Sequence, residues 1–216
     1  MAKLITFSGT VGTGKTYSAK WARDVLIDAG YRAYYLRYRL LSARLFFKEK
    51  KAEKTHHRAF KVKRKKIGAR PRYKEYRPRR LFPVHYLYYL LHALRLRVLL
   101  LLKYPKDVVI MDRYVYDSLT RYPLKRKRVM GRAVKIAKLF PKPDCSFILD
   151  AETKTLLERG KFHSEHYLDH VLENYRILAE NLNHVCIINT EDFSTVNDQL
   201  SEILNKRFSL EFVKED

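Results

Sequence analysis

The chain has 216 residues, 46% of them hydrophobic, and only two cysteines. That is enough apolar material for one domain with a real core, and it excludes wholesale disorder and a disulfide-stapled scaffold. Lys and Arg number 45 against 23 Asp and Glu, a net charge of +22, and the whole excess lies in two segments, +13 in residues 48–80 and +9 in residues 121–142. Such an imbalance points to a polyanionic partner, nucleic acid or an anionic surface. The other reading, the solvated face of a heat-adapted protein, usually pairs Lys with Glu in networks.

Residues 3–8, Lys-Leu-Ile-Thr-Phe-Ser, read as a short buried strand. They open directly from the N-terminus without a secretory signal, and Cys145 and Cys186 sit in apolar runs as small core residues of a reducing compartment. A cytoplasmic location is expected. Gly9-Thr10-Val11-Gly12-Thr13-Gly14-Lys15-Thr16 follows and matches G-x-x-x-x-G-K-[ST]. A helix over 17–29 comes next, with Ala19, Trp21, Ala22, Val25, Leu26 and Ala29 on its inner side. Strand, glycine loop and helix together form the context a P-loop (Walker A) requires. Glycines let successive N–H groups converge on phosphate oxygens, and the helix N-terminus adds partial positive charge. Lys15 is placed to reach the β- and γ-phosphates of ATP, and the Thr16 hydroxyl to reach Mg²⁺. The loop is expected to bind ATP through Gly9 to Thr16.

Gly30 stops the helix, and residues 32–37 read as a second strand ending on Arg37. Residues 40–47 have the makings of a short helix, and 48–80 read as a basic insertion in a single domain of 1–216. Its Tyr73 and Tyr76 are either stacking partners for bases or plain anchors. Residues 81–102 are long and Leu-rich, but His85, His92, Arg95 and Arg97 interrupt them, which argues against a membrane span. A buried core helix with an inward basic edge is expected there, and helix 83–102 is also a candidate homodimer face.

Residues 107–112, Asp-Val-Val-Ile-Met-Asp, form a buried strand with Asp112 at its C-terminal end. Ligands of open parallel sheets bind at those ends, so Asp112 is a candidate for Mg²⁺ or its water shell, or for a base. Residues 121–142 read as a helix, one face apolar through Val129, Ala133, Val134, Ile136, Ala137 and Leu139 and the other cationic. A strand at 145–150 and a short helix capped by Thr153 follow. Then come a loop at 161–165, a helix at 166–181, a strand at 185–188 and a closing helix at 195–208. Strands alternating with helices predict an α/β fold with a five-stranded, mainly parallel sheet flanked by helices in three layers, the P-loop NTPase arrangement.

The order of motifs resembles the thymidylate kinase family of P-loop nucleotide kinases. Besides the P-loop, the likeness rests on Asp112-Arg113-Tyr114, on Pro143-Asp144 with Leu149-Asp150 and Leu156-Leu157-Glu158-Arg159, and on Tyr175-x-x-Leu178-Ala179. The resemblance implies that Arg37 opens the acceptor site and that Arg95 binds the acceptor's phosphate. It places Arg113 between acceptor and donor phosphates, Asp112 near Mg²⁺, Arg159 by the adenine and Lys161 at the position of a lid arginine. Three converging arginines would hold an anionic acceptor in line and offset charge on the transferring phosphoryl group.

The chain departs from that family's pattern where thymine is read. Val11 stands in place of an acid, Leu91 in place of a stacking phenylalanine, Arg121-Tyr122 in place of a Tyr-Gln pair, and the lid is short. The expected function is an ATP- and Mg²⁺-dependent kinase acting on a nucleotide or related phosphorylated small molecule. Two alternatives stand beside it: a polynucleotide kinase using 48–80 and 121–142 to hold the polymer, and a nucleic-acid-binding P-loop ATPase or switch.

Overall fold

The computed structural model describes residues 2–38, 84–159 and 164–208; the expected helix at 40–47, the basic insertion and Lys161 lie outside them. Five strands, β1 (Lys3–Gly9), β2 (Ala33–Arg37), β3 (Val108–Asp112), β4 (Cys145–Asp150) and β5 (Val185–Asn189), make one parallel sheet in the order β2-β3-β1-β4-β5. In-register pairs include Phe7 with Asp112, Arg37 with Asp112, and Gly9 with Leu149. The connection from β1 runs through α1 toward β2 on one side, whereas that from β3 runs toward β4 on the other, so the strand order reverses beside β1. The crevice at its carboxyl end is therefore where ligands of such sheets sit.

Helices cover both faces, which is why β3 is buried along its length and reads as a continuous apolar run. On one face α1 (Lys15–Asp28) and α7 (Val196–Phe208) pack with Ile5, Phe7, Ile110 and Phe147. On the other lie α2 (Val84–Lys103), the short α3 (Tyr116–Leu119), α4 (Lys127–Leu139) and α6 (Glu165–Glu180), closing over Leu4, Val109, Met111 and Ile148. The one-turn-and-a-half α5 (Thr153–Glu158) packs on α6 through Leu156, Leu168 and Leu172. The stripe expected on α6, Leu168 to Leu182, is buried throughout.

Several expectations need correction. Helix α2 is not a core helix with an inward basic edge. Tyr89, His92, Ala93, Leu96 and Leu100 face inward, whereas Arg95 and Arg97 are exposed, as are eight large apolar residues from Leu87 to Leu102. A helix has one packed stripe, and that of α2, from Tyr89 to Leu100, fits against α4 and the sheet. Ala29 is exposed beyond the end of α1, and Cys186 is only half-buried because β5 is an edge strand. Thr153 is the first residue of α5 rather than its cap, and its hydroxyl donates instead to Asp169. Among the described residues no helix is long and apolar enough to cross a membrane.

Candidate active site

The P-loop is shaped by positions where a side chain cannot go. Gly9 has φ 145°, and a Cβ there would lie 2.5 Å from the Leu149 carbonyl oxygen of the neighbouring strand. Gly14 has φ 85°, and a Cβ would meet the Phe193 ring at 2.7 Å. The Gly9 contact, with backbone, cannot be relieved while β1 stays paired with β4, and at both positions the positive φ itself favours glycine. Two hydrogen bonds hold the loop from outside and within: the buried Tyr175 hydroxyl of α6 donates to the Gly9 carbonyl at 3.0 Å, and Thr13 donates to the Thr10 carbonyl at 3.0 Å.

Lys15 is buried, and its ammonium donates to the Thr10 carbonyl across the loop. Burial lowers its pKa to about 8, against the opposing pull of the Asp117 and Asp112 carboxylates. A cation so poorly compensated gains most from incoming phosphate oxygens. Thr16, next in α1, donates its hydroxyl to Asp112 Oδ2 at 2.7 Å. The same oxygen accepts the Tyr35 hydroxyl at 2.8 Å and lies 3.9 Å from Arg37 Nε. Asp112 is buried, and its other oxygen, Oδ1, has no hydrogen-bond partner among the described residues.

That unsatisfied oxygen is the test of whether the site suits Mg²⁺. A buried carboxylate oxygen without a donor is costly, and a hydrated divalent ion would supply one. The hydroxyl of Thr16 beside it is the usual second protein contact in P-loop proteins. Among the described residues no three His, Cys, Asp or Glu converge on a metal position, so an ion here depends on nucleotide phosphates and water for its remaining ligands, as Mg²⁺ commonly does. The residues present fit that ion.

Arg113 follows with φ 81°, a left-handed backbone that costs a residue with a Cβ roughly 1–2 kcal/mol. The bend is held by its N–H donating to the Phe7 carbonyl at 2.9 Å. Its guanidinium Nη1 stands 3.8 Å from Asp117 Oδ1, while Asp117 Oδ2 accepts the Tyr114 N–H at 3.0 Å. The Asp-Arg-Tyr segment thus turns sharply at the strand end, with the arginine side chain beside an acid that also acts on Lys15.

Arg159, at the end of α5, donates to the carbonyls of Thr190 at 2.8 Å, Glu191 at 3.0 Å and Gly12 at 3.5 Å. Its guanidinium lies 4.3 Å over the Phe193 ring. A flat cation–aromatic platform therefore borders the P-loop, suited to the face of a purine. Phe193 escaped the sequence reading. Its signal was position: the loop 190–195 leaves the carboxyl end of β5, the same edge of the sheet as the P-loop.

Arg95 has no hydrogen bond or ion pair among the described residues, but its charge reaches Tyr38 and His92. The Tyr38 hydroxyl is buried without a partner among the described residues, and burial raises its pKa. Burial and Arg95 together lower that of His92. Tyr88 and His92 stack edge to face at 4.5 Å. Leu91 is 56% exposed and belongs to the outer face of α2, so the rings within reach of Arg95 are those of Tyr38 and His92. Of the expected residues, the structure brings Thr16, Asp112 and Arg37 together by direct contact. Lys15 and Arg113 stand within electrostatic reach of one another and of Asp112 and Asp117, Arg159 borders the loop at the Gly12 carbonyl, and Arg95 stays apart on α2.

No protein-family model and no curated protein matches this sequence. Solved structures do. Thymidylate kinase from Ehrlichia chaffeensis is similar over 94% of this chain and 98% of its own, with a TM-score of 0.54 and 17% identity. Thymidylate kinase from Candida albicans is similar over 100% of this chain and 96% of its own, with a TM-score of 0.55 and 13% identity. At such identities the likeness shows the fold, a thymidylate kinase-like P-loop NTPase arrangement.

Proposed function

We propose that the chain is a nucleotide-kinase-like phosphotransferase that moves the γ-phosphate of ATP to a nucleotide or related phosphorylated small molecule, with Mg²⁺. The observation that carries this reading is the Thr16–Asp112 contact at 2.7 Å with Asp112 Oδ1 left unsatisfied. A glycine turn that merely joined strand to helix would have no reason to aim a hydroxyl and a half-used buried carboxylate at the same spot.

In this reading the loop amides and Lys15 bind the β- and γ-phosphates, and the Arg159–Phe193 platform takes the base. Thr16 and Asp112 would hold Mg²⁺, which neutralises charge on the phosphates and leaves little covalent chemistry to the protein. Arg37 and Arg95 orient the acceptor, and Arg113, bent into the site, faces the oxygens of the transferring group. Lys161, in the segment following α5, is proposed to cover it. Alignment and charge complementarity do the catalytic work.

The test is transfer from γ-labelled ATP with Mg²⁺ to nucleoside monophosphates and, in parallel, to short RNA and DNA. Label on a mononucleotide supports the reading. ATP binding with no labelled product on any acceptor overturns it in favour of an ATP-dependent switch.

The outer face of α2 is proposed to meet a second copy. Leu87, Leu91, Leu94, Val98 and Leu101 recur at alternating spacings of four and three and are all exposed, the pattern of a seam between helices. Sedimentation equilibrium of the wild type and of Leu94→Glu checks this. A wild-type monomer at all concentrations rejects it.

A further inference from the structure

The outward surface of α4 has no part in the site just described. It carries Lys127, Arg128, Arg132, Lys135 and Lys138, all exposed, and no acidic residue lies anywhere in 121–142. Helix α4 runs 13 residues, about 20 Å, with Met130, Ala133, Ile136 and Ala137 packed inward. Its C-terminus leads through 140–144 into the start of β4. Its N-terminus therefore lies toward the catalytic edge, where the Asn174 amide of α6 ties down the Thr120 and Tyr122 carbonyls at 2.8 and 2.9 Å.

Between α4 and α6 runs an open groove of about 600 Å³. Lys125, Lys127, Lys135 and Lys138 line it above a floor of Leu124, Met130 and Ile177. Among the described residues the ion pair on this row is that of Lys125 with Glu173, 2.7 Å apart at one end. Gly131 opens onto it, and a Cβ there would touch nothing within 4 Å, so a ligand can approach the helix backbone closely.

We infer that this groove and the outer face of α4 form a binding site for the sugar-phosphate backbone of nucleic acid. The partner must be anionic, because uncompensated lysines repel one another until counter-charge arrives. It must also be extended, because the cations form a row down a helix rather than a cup. About 20 Å is room for roughly six phosphates at 3.4 Å of rise per strand. An anionic bilayer fits less well, since interfacial helices bury large apolar residues at the lipid boundary. From 103 to 156 no large apolar side chain is exposed. Base reading is not expected, because no exposed aromatic residue on α4 offers a stacking platform. The site grips phosphates and ignores sequence. It does not depend on the phosphotransferase reading.

The experiment is fluorescence anisotropy with labelled single-stranded RNA and duplex DNA of about 30 nucleotides or base pairs, titrated across salt. Wild type is compared with K127Q/K135Q/K138Q and, separately, Gly131→Gln. Residues 48–80 are unchanged in all three proteins, so any difference belongs to α4. The wild type is expected to bind with a steep salt dependence. The triple variant should lose at least about tenfold in affinity at moderate salt, with a single-strand log–log slope smaller by about 2, at about 0.7 per lost phosphate contact. Gly131→Gln should weaken binding several-fold with the slope unchanged, since it obstructs the groove without removing charge. ATP binding, at a site none of these residues touches, should be equal in all three and reports their folding. A triple variant with wild-type affinity and slope overturns the proposal, as does a wild type that binds neither probe at low salt. Binding to vesicles of anionic phospholipid but to neither nucleic acid overturns it in favour of a membrane surface.

Discussion

The two halves of the candidate site are built to different degrees. On the donor side Lys15, Thr16 and Arg159 are already engaged: Lys15 on the Thr10 carbonyl, Thr16 on Asp112, Arg159 on three carbonyls and the Phe193 ring. On the acceptor side Arg95 makes no such bond among the described residues, Tyr38 keeps a buried hydroxyl without a partner, and Arg37 stands 3.9 Å from its acid. Groups that already hold their geometry lose little freedom when a ligand arrives, whereas loose ones must be ordered by it. The difference implies that ATP binds a largely finished site and that the acceptor completes its own.

The sharpest way to break that contrast is Lys15→Ala. It removes the cation aimed at the transferring phosphate, and activity should fall by at least about 10³, as loss of a principal transition-state donor does. A variant that still transfers phosphate normally would show that the loop is not catalytic. Next in size is Arg95→Ala, expected to raise the acceptor KM by roughly tenfold or more while leaving ATP affinity within about twofold, the cost of losing one charge-assisted contact. Equal loss toward both substrates would erase the distinction between the halves.

The donor half was readable because its determinants are local. Gly9 to Thr16 are contiguous, and the strand before and helix after them are patterned clearly enough to place the loop. Asp112 was readable from a general rule about strand ends. What the sequence hid depends on contacts between distant segments. Phe193 meets Gly14 only because β5 lies beside β4, and Tyr35 reaches Asp112 only through the β2–β3 register. The outward arginines of α2 were misplaced for a related reason. Periodicity marks an apolar stripe, but α2 carries two, and only the packing against α4 and the sheet decides which is inside.

The pH dependence of Lys15 offers a subtler check on how finished the donor site is. Its folded pKa of about 8 lies below its ordinary 10.5, so between those values the unfolded chain binds more protons. Without nucleotide or Mg²⁺, this residue's contribution to stability therefore rises as pH climbs from about 8 to 10.5, and the gain is absent below 8. Urea midpoints of wild type relative to Lys15→Met should shift in favour of wild type across that window. ATP affinity should fall across it, since the phosphates bind the protonated amine. A difference between the two proteins that stays flat with pH would mean that Lys15 titrates normally.

Tyr35→Phe should have the smallest effect, and it bears on the joint between the halves. One oxygen of Asp112 collects the Thr16 hydroxyl from the donor side, the Tyr35 hydroxyl from β2 and the nearby Arg37 guanidinium. Tyr35 touches no proposed substrate position; it fixes which way the carboxylate turns, and so where Oδ1 points. Losing one hydrogen bond of about 1 kcal/mol would slow turnover about fivefold if that orientation matters in the transition state. The signature of a positioning role is a higher Mg²⁺ requirement with ATP and acceptor KM unchanged and a near-normal melting temperature. A variant with normal turnover and Mg²⁺ requirement but a lowered melting temperature would make Tyr35 a fastener of the β2 edge. Asp112 would then be oriented by its hydrogen bond from Thr16, with Arg37 as the remaining contribution of the acceptor strand.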